Sequence, residues 1–275
     1  MISYTGINSE EAARALTELC SGGGICACRT LCLMESYGGY SGLIELWLQY
    51  DDSGNVCSSV IKYAGDMTVV LSVRSDKAEL RDFLQAAGAG SAVSEDEIFP
   101  DSGYGIIMRR KKSNFCSDDA AVSDLSADPK DAYSVMESCR GRGFDVPAYE
   151  DFLLDLSHRL RHGTARCCLI YENGDPAAFA MTSALSSTQA VIGSVCTAPQ
   201  YRRQGFGSRC VDLLCSDLGG REIFIVRSPG ENEEFYRSLG FEQCRRRLYI
   251  FKAIPHKDSA ADAPSIFSSD CAKRA

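Results

Sequence analysis

No stretch of the chain approaches the roughly 20 consecutive apolar residues that a membrane-spanning helix needs, so an integral helical membrane protein is excluded. Met1 to Glu11 lack the basic start and apolar run of a secretory signal, and a soluble, cytoplasmic protein is expected. Basic charge is short as well: 29 Lys and Arg face 37 Asp and Glu, a net charge of −8. A surface built to neutralise nucleic-acid phosphates or anionic lipid is therefore not expected, and neither nucleic acid nor membrane is a predicted partner. Cysteine, by contrast, is plentiful, with 14 residues. Many occupy strand-like or helix-like apolar positions (Cys139, Cys167, Cys168, Cys196, Cys210, Cys215), so they read as reduced thiols serving as small hydrophobes rather than as a disulfide scaffold. The 45% apolar and 24% charged content is that of a globular protein, and 275 residues suit about two domains of roughly 100–200 each.

The pattern along the chain is a helix, a meander of strands and a second helix, stated twice. Asn8 with Glu11 makes a capping-box pattern, followed by Ala12, Leu16 and Leu19 at helical spacing and a stop at Gly22-Gly23-Gly24. Strands are predicted over Leu43–Tyr50, Val56–Ala64 and Met67–Val73; Asp76 with Glu79 then caps a helix, and Gly105–Met108 forms a last strand. A linker is placed over residues 113–128, which are rich in Ser, Asp and Ala. Asp128-Pro129 starts another helix, and a further one follows Val146-Pro147. Strands over Arg166–Tyr171, Ala177–Ala184 and Ala190–Cys196 repeat the meander; laying Ser53 over Gly174 brings Val69-Val70-Leu71 over Ala190-Val191-Ile192. The expected fold is α+β: two tandem domains, each a central, mostly antiparallel mixed sheet flanked by helices. The expected boundaries are 1–112, a linker 113–128, 129–252 and a tail 253–275.

The copies differ where the third strand meets the next helix. The second inserts Thr197-Ala198-Pro199-Gln200-Tyr201-Arg202-Arg203-Gln204-Gly205-Phe206-Gly207 there. A glycine-rich turn delivering a strand into a helix start aims unpaired amides and the positive end of the helix dipole at one point, where phosphate is the natural guest. Gly205 and Gly207 let the backbone bend and approach an anion, with Arg202 and Arg203 supplying charge beside it. Gly207-Ser208-Arg209 does not supply the Gly-Lys-Ser/Thr of a nucleotide P-loop, and a dinucleotide fingerprint would want a third glycine near Cys210.

These residues resemble the coenzyme motif Arg/Gln-x-x-Gly-x-Gly/Ala of GNAT superfamily N-acetyltransferases, met by Arg202, Gly205 and Gly207. A Tyr-x-x-x-Gly-Phe signature follows as Tyr236 to Phe241. The resemblance covers roughly 129–252, with the first half similar to a degenerate second GNAT-like domain. It implies acetyl-CoA as co-substrate and a primary amine, on a small molecule or a protein, as acceptor. The diphosphate would lie on the turn of Arg202, Arg203, Gln204, Gly205, Phe206, Gly207 and Ser208, and the pantetheine arm along Val195-Cys196-Thr197. Asn232 would either contact the coenzyme or cap its helix, and Tyr236 would be the acid that protonates the leaving thiolate.

The sequence departs from the family pattern at the base, because Ala190–Cys196 and Ile223–Val226 carry no carboxylate. Glu150, Glu172, Asp175 and Glu231 remain available, as does a non-catalytic role as an acyl-CoA sensor or interaction module. The first domain would shape the acceptor site, hold the pair together or form a homodimer. No metal is expected. Cys20, Cys26, Cys28 and Cys32 lack paired zinc knuckles, and His158 and His162 lack a zincin glutamate and read as surface residues near a helix end. Arg245-Arg246-Arg247 could attract an acidic substrate.

Overall fold

A computed structural model describes residues 1–5, 9–40, 42–111, 127–141 and 144–252. The predicted cap Asn8, nearly all of the predicted linker and the predicted tail 253–275 lie outside these residues. Two compact units divide the described chain: Met1–Gly105 with 246–252, and Ile106–Arg245.

In the first unit, β1 (Ile2–Tyr4) precedes α1 (Glu10–Leu19), whose N-terminus is capped by Ser9, its side chain accepting from the Ala12 N–H. After the glycine run comes a helix that the sequence reading did not foresee, α2 (Ile25–Tyr37). Strands β2 (Ile44–Tyr50), β3 (Val56–Tyr63) and β4 (Asp66–Leu71) form the antiparallel meander. A two-residue turn at Ala64 and Gly65, both at positive φ, joins β3 to β4. Helix α3 (Lys77–Ala86) starts on the Asp76 cap, and β5 (Ser91–Ser94) then pairs parallel to β4. Adjacent residues of one strand serve opposite faces of this sheet. Val60 packs with Leu80 and Leu84 of α3, whereas Ile61 packs with Leu16 of α1 and Leu33 and Tyr37 of α2.

The second unit repeats this order. Helices α4 (Pro129–Ser138, capped by Asp128) and α5 (Tyr149–Arg161) precede β7 (Cys167–Glu172), β8 (Asp175–Leu185) and β9 (Gln189–Thr197). Asn173 and Gly174 form the two-residue turn between β7 and β8. Helix α6 (Phe206–Asp217) leads to β10 (Glu222–Arg227), which is parallel to β9, and then to α7 (Glu233–Ser238). Both faces of this sheet are covered: Cys168 and Ile170 pack under α6, and Cys167 and Leu169 under α4 and α5. Burial on both faces explains why β7 reads as a continuous apolar run.

Two strands lie on other sides of the division than the sequence boundaries suggested. Ile106–Arg110 of β6 (Gly103–Arg110) pairs antiparallel with β10 of the second unit. Tyr249–Lys252 of β11 (Glu242–Lys252) pairs with β5 of the first. Arg246 and Arg247 are likewise engaged in the first unit, Arg246 with Glu95 at 3.4 Å and Arg247 over the Tyr104 ring at 4.1 Å. Both cations are thus already committed within the fold.

The four clustered cysteines are core residues. Cys26, Cys28 and Cys32 are buried in α2 and Cys20 just before it, and burial pushes the Cys20 thiol up to about 12. No group of three or more His, Cys, Asp or Glu suited to a metal ion occurs among the described residues, and no helix there is long and apolar enough to cross a membrane.

Candidate functional site

The site begins where two parallel strands part. The β9–β10 ladder runs from Gln189↔Glu222 to Ile192↔Ile225 and stops, while β9 continues to Thr197 and β10 to Arg227. An irregularity in β9 accompanies the divergence. Ser194 has φ 51°, and the β8–β9 register shifts across it, between Phe179↔Cys196 and Met181↔Gly193. The strands are close there, for a Cβ on Gly193 would stand 3.2 Å from the Ser183 Cβ. Arg159, only 3% exposed, braces this point from α5: its Nη2 donates to the carbonyls of Thr164, Thr182 and Ser183 at 3.3, 3.1 and 3.2 Å. Its Nη1 lies 3.5 Å from Asp155. The sequence reading assigns Arg159 no role; its i, i+4 spacing from Asp155 is the signal that was available.

Beyond Ile192 the edge of β9 facing β10 carries no ladder. The Ala198 N–H donates to Ala177 on the β8 side, so backbone alternation turns the amides of Thr197 and Val195 toward the gap. Side chains along this segment alternate too: Val195 joins the α6-side core and Cys196 the α4–α5 side.

A short 3-10 turn, Pro199–Tyr201, leads into the glycine-rich turn. Arg203 has φ 62° and Gly205 φ 85°, and α6 starts at Phe206 with no side-chain cap. The Arg209 N–H is the first to bond back, to Gly205, so those of Phe206, Gly207 and Ser208 have no helical acceptor. They point with the positive end of the α6 dipole toward the same space. The two glycines serve different needs. Gly205 takes a left-handed conformation with open space around it, whereas a Cβ on Gly207 would come within 2.9 Å of Thr197 Oγ1. Close packing of helix on strand, rather than approach to an anion, accounts for Gly207.

The arginines divide similarly. Arg202 donates from Nε to the Thr197 carbonyl at 3.1 Å, and its Nη2 lies 3.7 Å from the Cys139 sulfur, so it braces the entry to the turn. Arg203 and Gln204 are exposed, and Gln204 Nε2 donates to the Gln200 carbonyl. The Cys139 thiol also donates to Thr197, at 3.2 Å, a contact the sequence reading missed.

Tyr236, 4% exposed, lies in the same core cluster as Val195, its ring 4.9 Å from Phe235 and 6.0 Å from Phe241. Phe235 in turn reaches the α6 start, 4.0 Å from where a Gly207 Cβ would be. Asn232 precedes α7 in a left-handed conformation (φ 55°) and makes no side-chain capping bond, which corrects the cap alternative. Of the four carboxylates considered, Glu150 and Asp175 are exposed and Glu172 is intermediate. Glu231, just beyond β10, has a buried Oε2 with no hydrogen-bond partner.

The first unit has a counterpart of the parting strands without the turn. Its β4–β5 ladder ends at Val69↔Ser94 while β4 runs on to Leu71, beside a cavity of about 560 Å³ lined by Val70, Leu71, Glu95 and Arg246 among others. At its α3 start, Asp76 accepts from the Ala78 and Glu79 amides. A carboxylate of the chain therefore holds the amides that the second unit leaves open.

The second unit is an α+β fold whose central parallel strands splay beside an uncapped, glycine-led helix start. Residues 163–243 match the family model described as an acetyltransferase (GNAT) domain. The match to a GNAT domain thus lies within the second unit, and the chain as a whole has the fold of tandem GNAT structures. Among solved structures, the tandem GNAT protein from the clavulanic acid biosynthesis pathway aligns with TM-score 0.58 at 13% identity, covering 94% of this chain and 99% of that one. The GCN5-related N-acetyltransferase from Sphaerobacter thermophilus aligns at 0.54 and 14%, covering 95% and 98%. A GNAT-family acetyltransferase from Colwellia psychrerythraea aligns at 0.50 and 13%, covering 92% and 100%. At these identities the likeness is one of fold. No curated protein sequence matches the chain.

Proposed function

We propose that the second unit is an acetyl-CoA-dependent N-acetyltransferase acting on a primary amine. The observation that carries this reading is the junction, at Thr197, of an open strand edge with an uncapped helix start. The amides of Phe206 to Ser208 suit a diphosphate, which the helix dipole favours. The edge of Val195 to Thr197 suits an amide-bearing arm that adds like a strand. The Val195 N–H would then polarise the thioester carbonyl and hold the oxyanion formed when the amine attacks. Collapse of that intermediate expels the coenzyme thiolate, and Tyr236 donates the proton. Glu231 serves as base: it alone of the four carboxylates has a buried oxygen with no hydrogen-bond partner in the protein. The first unit does not share the diphosphate role, since Asp76 already occupies its helix start.

The lack of a carboxylate over Ala190–Cys196 and Ile223–Val226 favours a second reading, an acyl-CoA sensor without turnover. Calorimetry with acetyl-CoA and release of free thiol across an amine panel separate the two. Binding with amine-dependent thiol release supports the transferase, binding without release supports the sensor, and absence of binding refutes both.

A further inference from the structure

Glu95 follows β5 at the point where that strand leaves β4, and its carboxylate sits over the start of α2. Its Oε1 accepts from the Cys26 N–H at 3.1 Å. A Cβ on Gly24 would collide with both carboxylate oxygens, so the glycine makes room for them. The other oxygen, Oε2, faces Arg246 Nη1 at 3.4 Å, with the Glu95 side chain 14% exposed and that of Arg246 65%. Both line the first unit's cavity of about 560 Å³, together with the end of β4. We propose that this cavity binds an extended peptide carrying an ammonium group: its main chain adds to the free edge of β4 at Leu71, and the ammonium takes the place of Arg246 on Glu95.

The strand edge is open in the direction this requires. The Ser72 N–H donates to the Cys57 carbonyl on the β3 side, so backbone alternation turns the N–H and C=O of Leu71 toward the gap, beyond the last β4–β5 pair, Val69↔Ser94. A main chain lying there finds a donor and an acceptor, as in strand addition. Val73 lines the same cavity while fully exposed, an apolar contact left for a guest. The wall behind is polar. Thr30 lies one turn beyond Cys26 on α2, and Ser59 is paired across the sheet with Val70; both are fully buried, and their hydroxyl oxygens have no hydrogen-bond partner among the described residues. A gap between apolar side chains stays dry and empty, whereas buried hydroxyls call for polar company.

Charge selects the guest. Glu95 occupies the start of α2 and Asp76 that of α3, so neither helix start beside the cavity is left for a diphosphate. The shielded charge within is the Glu95 carboxylate, while the cations stand outside: Arg246 is exposed, and so is Lys77, 3.6 Å from an exposed Asp96. Ion pairs this exposed are worth little, so an arriving cation can displace Arg246 while Oε1 keeps its bond to Cys26. The volume lies within the roughly 300–1,000 Å³ of ligand pockets. This inference stands on the first unit alone and does not rest on the coenzyme reading of the second.

The test adds short peptides to the full-length protein and follows binding by calorimetry and by the amide NMR spectrum. Acetyl-Val-Lys-Val-amide carries its ammonium on a side chain, Val-Ser-Val-amide carries it on a free N-terminus, and acetyl-Val-Gln-Val-amide has none. At least one of the first two is expected to bind with a Kd in the millimolar range or below, about tenfold tighter than the neutral peptide, and to shift the Leu71 amide. The tighter of the two identifies the source of the ammonium. Glu95→Gln keeps an acceptor for the Cys26 N–H but not the charge, and should abolish the preference. Arg246→Ala removes the competing cation at an exposed position, and should bind the cationic peptide as tightly as the parent or more so. Should Glu95→Gln fail to fold, Arg246→Ala and the three peptides still decide. No binding of either cationic peptide at millimolar concentration, no preference over the neutral one, a preference that survives Glu95→Gln, weaker binding in Arg246→Ala, or binding that leaves Leu71 unshifted overturns the proposal.

Discussion

Gly205 and Gly207 offer a test of whether the turn is held by backbone conformation or by packing, because each is required for a different one of these reasons. In Gly207→Ala the new methyl stands 2.9 Å from Thr197 Oγ1, well inside normal contact, and 4.0 Å from Phe235 Cζ. Overpacking of this kind costs about 1–3 kcal/mol, whereas alanine in place of glycine within a helix returns up to about 1 kcal/mol. The net expected loss is about 0–3 kcal/mol of stability, with weaker acetyl-CoA binding as α6 moves off β9. Thr197→Ala removes the opposing oxygen, so the double variant should recover both properties and should gain the helix term. Gly205→Ala behaves differently. Nothing lies within 4 Å of its would-be Cβ, but φ is +85°, and forcing alanine there costs about 1–2 kcal/mol. Thr197→Ala should give no rescue of that variant. Urea unfolding and calorimetry on the parent, the three single and the two double variants supply two thermodynamic cycles. A coupling of about 1–3 kcal/mol between positions 197 and 207 is expected, and about zero between 197 and 205. Equal coupling in both cycles, or a Gly207→Ala protein as stable and as tight-binding as the parent, would show that the account of the turn is wrong.

Loss of either proposed proton-transfer group should act on turnover: Tyr236→Phe and Glu231→Gln are each expected to lower kcat about 100-fold with acetyl-CoA affinity nearly unchanged, and parental kcat in either removes that residue's role. Arg159→Met leaves Asp155 and three backbone carbonyls without their buried cation, so urea unfolding should show a loss of about 3–5 kcal/mol; a loss below about 1 kcal/mol contradicts the bracing role. The rate of iodoacetamide labelling at Cys139 should rise as pH passes through about 6 and level off above it, whereas a thiol titrating near 9 would still be gaining rate there. Because the fold lowers this pKa below its ordinary value, the thiolate's contribution to stability is present above pH 9 and fades as pH falls through about 6.

Much of the fold could be read locally. Asp76, Asp128 with Pro129, and the Asn173-Gly174 turn announce themselves because capping and positive φ depend on a few adjacent residues. Helix α2 did not, since Ile25 to Thr30 are buried in unbroken succession and leave no polar face to set a period. Strand β5, four residues long, gave too short a signal. The partner of Tyr249–Lys252 could not be read at all, because strand pairing across such a separation has no local signature. At the site, the glycine turn and Tyr236 were visible as motifs, while Arg159, the neighbours of Cys139 and the unpartnered oxygen of Glu231 were not.

The sequence by itself determined where the chain bends, where its helices begin and that one helix start near Gly205 carries no capping side chain. These follow from backbone sterics and hydrogen bonds among near neighbours. Only tertiary structure decided that β9 and β10 part after Ile192 and Ile225, that Gly207 must lack a side chain because of Thr197, and that the Cys139 sulfur meets the Thr197 carbonyl and Arg202. Each of these depends on distances between groups far apart along the chain, which packing alone sets.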